Sequence, residues 1–434
     1  MIREKSTLDV SYARSQIPTI RSHDGTFVFA DNAGVSATLE SAALKVADYL
    51  MHSNVQLKAS YPLAKHSTQL IGESDIAGQR LINAASNGEV VLGISATQLL
   101  ENLARSMEPF IVEGHDEIII TDTEHEANAG PFVKLAKRKN LTVHVWKCNP
   151  ESMELELDSL KALLNQKTRL VCVAHCSNIL GTVNNIKSII DLVHAIPGAE
   201  VCVDGVALAG HRLVDVQAWN PDYYSISYYK IFGPHISQLY IADRCRSRLS
   251  SLVHYFLKED VYPAAFQPGN VNPELVAALP AVLGYLGDLG RPSEERLGIQ
   301  GQRGVRADVG ATRQELIRAY AAIADQETIL ANKFLGYLTS KPNAFRIFGR
   351  KVADEDRIAI ISVTVAGMSS EEFVRRIDKL GVGIRHGHFF SHRFVCGSQS
   401  LTADGVVRVS FAHYNTLEEV DIVIAAFESA SQSE

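Results

Sequence analysis

From about residue 27 to residue 289, short apolar runs alternate with segments of helical pattern, and this most constrains what the chain can become. Residues 89–93, 117–121, 142–146, 169–175, 200–204 and 238–242 read as strands. Helix-length stretches such as 186–195 separate many of them. A strand that returns to the same sheet through a helix lies parallel to its predecessor. The alternation therefore predicts a mostly parallel sheet covered by helices on both faces, an α/β fold. The run Glu200-Val201-Cys202-Val203 has no polar alternation, as expected for a strand buried on both sides.

The pattern changes in 291–313, which is rich in Gly, Arg, Glu and Gln, and this stretch reads as a loop or hinge. Beyond it a smaller α/β layer is expected. Residues 357–365 and 406–411 read as strands, and 370–380 as a helix stopped by Gly381. Thr416 and Glu419 form a T-x-x-E capping box for a last helix reaching about Phe427. With 434 residues the chain exceeds the usual size of a single core. The expected division is an N-terminal segment (1–30) packing with the small domain, a large domain (31–290), the hinge (291–313) and a small C-terminal domain (314–434).

Composition excludes several classes. Apolar residues make up 46% and charged residues 21%, and the net charge is −7. No basic stripe with interleaved aromatics points to nucleic acid. No run approaches the roughly 18 apolar residues of a membrane span, and Met1-Ile2-Arg3-Glu4-Lys5 opens no signal peptide. The six cysteines form no C-x-x-C pair, and no metal-ligand set is read. A reduced, cytoplasmic compartment is expected.

Four features carry chemistry. Asp204 ends the strand 200–204 and precedes Gly205, and carboxyl ends of strands in open α/β sheets are where ligands bind. Lys230 lies between Tyr228-Tyr229 and the Gly233-Pro234 turn, where partial desolvation would lower the amine pKa. Ser95-Ala96-Thr97 follows a strand and opens a helix, so backbone N–H groups and a hydroxyl point at an anion. His125 follows another strand and could stack on a flat ring. Taken singly, these are a helix cap, a surface lysine, a Ser/Thr cap and a loop histidine. Together they answer the four demands of pyridoxal 5′-phosphate (PLP): an amine for the aldehyde, an acid for the pyridine nitrogen, donors for the phosphate and a face for the ring.

The order of these motifs resembles the class V aminotransferase superfamily of fold-type I PLP enzymes, in its cysteine-desulfurase-like branch. The resemblance runs from Phe29-Ala30-Asp31-Asn32-Ala33-Gly34 through His125-Glu126-Ala127-Asn128, Ser177-Asn178-Ile179-Leu180-Gly181-Thr182 and Val203-Asp204-Gly205. It ends on Ser227-Tyr228-Tyr229-Lys230 and Arg408-Val409-Ser410-Phe411-Ala412-His413-Tyr414. It implies a large domain with a mostly parallel seven-stranded sheet and a smaller C-terminal α/β domain. It also implies roles. Lys230 would be the Schiff-base lysine, Asp204 the pyridinium partner and His125 the ring's stacking group. Asn178 would sit near the phenolic oxygen. Ser95, Ala96, Thr97, Ser227 and Tyr229 would hold the phosphate, with Asn270 in the segment that family dimers lend to the neighbouring site. Arg408 would grip a substrate carboxylate, with Asn32, His388 and Phe390 lining the substrate space.

The departures matter as much. Where cysteine desulfurases carry their nucleophilic Cys, after an Arg-x-Gly-His segment, this chain has Phe390, and Cys396 lies beyond it. Ala207 stands where the family usually has Gln or His, and Tyr229 where it commonly has His. The expected activity is a PLP enzyme that forms a Cα carbanion on an amino acid. Lyase chemistry or a C–C bond-forming, Mannich-type cyclisation is favoured, as in fungal alkaloid enzymes of the loline type. Aminotransferase, epimerase and C–S lyase are the alternatives, and a catalytically inactive PLP-fold binding protein a further one. A homodimer is expected.

Overall fold

The structure, a computed structural model, describes residues 7–23, 25–257, 261–269, 271–296, 310–398, 401 and 404–432. Strand β1 (Val28–Phe29) comes first in the chain. Seven strands then build the large sheet: β2 (Val90–Gly93), β3 (Glu117–Thr121), β4 (Thr142–Trp146), β5 (Thr168–Ala174), β6 (Glu200–Asp204), β7 (Tyr223–Ser227) and β8 (Ser237–Ile241). Their order is β2-β8-β7-β6-β5-β3-β4. All pairs are parallel except the two that β8 makes with β2 and β7. Leu170, Val171, Cys172 and Val173 on β5 and Val201, Cys202 and Val203 on β6 have no exposed surface. Helices cover both faces, which is why these runs are continuously apolar.

The covering helices show the matching period. In Ile186–His194 the buried residues are Ile186, Ile189, Ile190 and Val193, one stripe at helical spacing, and Asn185 caps the start by accepting from the Ser188 N–H at 3.1 Å.

A second sheet holds β9 (Phe345–Phe348), β10 (Ile360–Val365), β12 (Arg385–Gly387) and β13 (Val406–Ser410) in the antiparallel order β12-β13-β10-β9. Strand β11 (Val382–Gly383) pairs in parallel with β1. Leu330, Phe334, Phe373 and Phe427 pack this sheet against the helices Arg313–Ser340, Ser370–Asp378 and Leu417–Ser431. Gly381 ends the second of these with φ +74°, a backbone glycine adopts without penalty. Thr416 and Glu419 form the reciprocal capping box at the third.

Two elements differ from the sequence reading. Residues 223–227, which the sequence reading left unassigned, form a fully buried strand, with strand-favouring Tyr224 and Ile226 alternating with Ser225 and Ser227. They are held by β6 on one side and β8 on the other. The N-terminal segment divides: Leu8, Ala13, Ile17 and Ile20 bury in the core around the large sheet, whereas Val28 and Ala30 belong to the core of the small one. Of the stretch 291–313, residues 297–309 lie outside the described residues, as does Asn270.

Candidate active site

Parallel strands bring their carboxyl ends to one edge, and the site is assembled there. Asp204 is the last residue of β6, level with Ala174 on β5 and Ser225 on β7. Its position is fixed on both sides: its carbonyl accepts from the His175 N–H at 2.8 Å, and the Gly205 N–H donates to Ser225 at 2.9 Å. One carboxylate oxygen accepts from the Val206 N–H at 2.9 Å. Lys230 closes a short turn, Tyr228–Lys230, directly after β7. Ser36 anchors that turn through two bonds to the Tyr229 carbonyl, at 3.1 Å from its N–H and 2.9 Å from its hydroxyl.

Ser95 caps the helix Ala96–Met107 by accepting from the Gln98 N–H at 3.1 Å. The first-turn N–H groups of such a helix have no intrahelical acceptor, so they are free for an anion. His125 caps the helix Glu126–Lys139, its Nδ1 accepting from the Ala127 N–H at 3.1 Å. Ser95, Ala96, Thr97, His125, Asn178, Asp204, Ser227, Tyr229 and Lys230 all line one cavity. A second space shares His125, Asn178, Tyr229 and Lys230 and adds Arg385, His386, His388, Phe389, Phe390 and Arg408.

Several side chains are already engaged. Ser227 Oγ pairs with Ser237 Oγ at 2.7 Å, and the Tyr229 ring stacks on His235 with centroids 5.0 Å apart. The Asn178 amide donates to the Phe389 carbonyl at 2.7 Å, and its oxygen accepts from the Ser391 hydroxyl at 3.0 Å. Asn32 requires a correction. It is 3% exposed and lines neither cavity, because its amide donates to the Ser410 carbonyl at 2.8 Å and its oxygen accepts from the Tyr414 hydroxyl. Arg408 is 1% exposed, with donors on the Asn178 carbonyl and Asp31, each at 3.1 Å. Phe390 is 63% exposed, its ring 5.1 Å from that of His125. Cys396 is on the short helix His392–Gly397, its sulfur 3.2 Å from His392 Nε2, and lines neither cavity.

The electrostatics suit imine chemistry. Burial, reinforced by Arg408 and opposed by Asp204, pushes the Lys230 amine down to about 8. Burial, with Lys230 and Arg408 adding to it, pushes His125 down to about 4, so its ring is neutral near pH 7. Burial raises Asp204, while the Val206 N–H and Lys230 hold it down. The sequence reading gave no role to Glu124, which is buried beside His125 and accepts from Thr121, Asn128 and the Ala174 N–H at 2.9, 2.8 and 2.6 Å. Its adjacency to His125 was the signal that could have found it.

PLP fits these residues. An amine without an ion-pair partner among the described residues and a buried carboxylate open on one oxygen meet in one cavity. A neutral imidazole and a helix N-terminus complete it, and Ala174 and Ala207 leave room in its wall.

The family model for aminotransferase class-V matches residues 28–295 and 316–423. The chain belongs to the class V aminotransferase family. Members of that family work with PLP. Aminotransferase-like protein FGM3 of Gibberella zeae is 38% identical over 432 residues, covering 98% of both chains. Cysteine desulfurase-like protein ustD of Aspergillus flavus is 31% identical and covers 96% of this chain and 89% of its own. The crystal structure of the Escherichia coli cysteine desulfurase CsdA superimposes with a TM-score of 0.78 at 21% identity, covering 98% of each chain; at that identity the likeness concerns the fold.

Proposed function

We propose that this family member is a PLP-dependent enzyme that breaks a bond at Cα of an α-amino acid and uses the carbon in lyase or C–C bond-forming chemistry. The observation that carries the reading is the meeting of Lys230, Asp204, His125 and the start of the helix Ala96–Met107 in one cavity that continues to Arg408. When bound, PLP withdraws electrons from the Cα of an attached amino acid. Asp204 would keep the pyridine nitrogen protonated, and the neutral His125 ring would cover one face. Ala96, Thr97 and Ser227 would hold the phosphate. Lys230, with its amine pushed to about 8, would carry the cofactor and move the proton at Cα. Arg408 would receive the substrate carboxylate through a planar pair of donors.

Phe389 and Phe390 bring apolar surface to the cavity where a sulfur-transferring enzyme needs a thiolate, which speaks against persulfide formation and for exclusion of water from the reacting carbon. His388, which lines the cavity, accepts from the Phe390 N–H at 3.0 Å through Nδ1, so its Nε2 would be the ring nitrogen that relays protons. Within this class our specific expectation is a Mannich-type cyclase. The chain would act as a homodimer, the usual state in the family, in a reducing cytosol that suits its six free cysteines.

The test is an amino-acid panel offered in D2O to the PLP-loaded protein. Deuterium at Cα, or a product with a new C–C bond, supports the reading. Clean exchange of amino and keto groups between two substrates makes the protein an aminotransferase, and no spectral response to any amino acid leaves a binding protein. Light scattering that finds a fully active monomer removes the dimer.

A further inference from the structure

The Arg408 guanidinium is not open to the cavity it lines. Its carbon lies 3.7 Å from the centre of the Phe389 ring, which covers its face. Nη1 donates to the Asn178 carbonyl and Nη2 to Asp31, while Nε is buried without a partner among the described residues. Asp31 is shared: its second oxygen pairs with Arg385 Nε at 2.8 Å, and Arg385 also lies 5.5 Å from the Phe389 ring. Two guanidinium groups thus divide one carboxylate, and an aromatic face takes the place of a second anion. Such a contact is attractive but weaker than a bidentate carboxylate.

The backbone that aims this ring is unusual. Phe389 and Phe390 have φ +49° and +62°, the left-handed region that bulky L-residues avoid. Four bonds retain it. The Asn178 amide and the Glu126 N–H donate to the two Phe carbonyls at 2.7 and 2.9 Å, the Phe390 N–H donates to His388 Nδ1 at 3.0 Å, and the Ser391 hydroxyl donates to Asn178 at 3.0 Å. Strain that persists because surrounding bonds over-determine it marks a segment whose shape matters. Asn178 touches both parts, holding the Phe389 carbonyl with its side chain and Arg408 with its own carbonyl.

We propose that Phe389 is a displaceable cap on Arg408 that sets the affinity threshold every carboxylate substrate must overcome. The inference rests on the reading of Arg408 as the carboxylate site. Every carboxylate must first displace the ring, so its apparent affinity falls by the fraction of protein in which the cap is open. A small amino acid has no side-chain contact to offset that loss. A substrate whose side chain fills the space beside Arg385 and His388 has one. The cap itself lowers the affinity of every carboxylate alike, and small amino acids fall below a usable affinity first because they have no side-chain contact to offset it.

The experiment titrates L-alanine into the PLP-loaded protein and follows the cofactor absorbance, in the wild type, Phe389→Ala and Phe389→Leu. Removing a cation–π contact should tighten L-alanine binding by about 2- to 30-fold in Phe389→Ala. Phe389→Leu, which keeps bulk and loses the aromatic face, should fall between, and it decides the matter if the alanine variant loses its cofactor. An unchanged or weakened affinity overturns the cap. Arg408→Lys in the Phe389→Ala background separates the two ideas. If that change weakens binding although Phe389→Ala alone had no effect, only the cap falls. Undiminished binding in the double variant removes the Arg408 reading on which the cap depends.

Discussion

Gly205 lies flat against the phenol ring of Tyr224, so that a Cβ added to Gly205 would overlap the ring. Tyr224 has no room to retreat, being fully buried with its hydroxyl 2.8 Å from His175 Nδ1. Gly205→Ala should therefore destabilise the protein by about 1–3 kcal/mol, the usual cost of overpacking. It should also displace Asp204, its chain neighbour, and loosen PLP. Thermal melting and cofactor retention on dialysis measure the two effects; wild-type values for both would show that the strand end tolerates a methyl group.

The Lys230 amine, pushed down to about 8 chiefly by burial, should capture added PLP with a rate that climbs with pH and levels off near that value. An ordinary lysine would continue to climb past pH 10. In the cofactor-free protein the unfolded chain holds a proton on Lys230 between about pH 8 and the ordinary 10.5 that the folded chain has lost. Stability should therefore gain a contribution as pH rises through that window. Lys230→Met should abolish both effects, and borohydride reduction should label Lys230; a label on a different lysine displaces the assignment.

Glu124 shows the opposite sign. Burial, above all, raises its carboxyl from about 4.5 to about 7, with the Asp204 charge adding to the shift. Between those values the folded chain keeps a proton that the unfolded chain has shed, so this group makes stability fall as pH rises from about 4.5 to 7. Glu124→Gln should flatten that decline. Melting temperatures at pH 5 and pH 8 provide the measurement, and an equal decline in both proteins would exclude Glu124 as its source.

Sulfide release from L-cysteine with a reductant should be absent or trivial. Phe390 occupies the aligned position, and Cys396 faces His392 on the short helix instead of the cavity. Appreciable release that disappears in Cys396→Ala would mean that the helix His392–Gly397 swings its thiol inward.

What could be read from the sequence was local. Six strands of the large sheet were legible, β2, β3, β5 and β6 because burial on both faces leaves their apolar runs nearly unbroken, whereas β4 lies at the sheet edge with Thr142 and Val145 exposed. The Thr416–Glu419 box was legible because both partners lie within one turn. The chemistry of Asp204 was legible because it ends a strand that could be read, and that of Lys230 because aromatic residues and the Gly233-Pro234 turn enclose it. Strand β7 was not read, because its alternating serines suggest a half-exposed strand, whereas pairing between β6 and β8 buries every position.

The sequence by itself determined the α/β class, the strand ends on which the site stands and the residue types offered to a cofactor, because period and adjacency are properties of the chain alone. Only the tertiary structure decided what those residues touch. Asn32 was read as a substrate contact, yet bonds to Ser410 and Tyr414, far along the chain, use up its amide. Arg408 was read as the carboxylate clamp; Asp31, 377 residues away, pairs with one edge of it and Phe389 covers its face. Contacts of this kind depend on how the two sheets meet, and no local pattern encodes that distance.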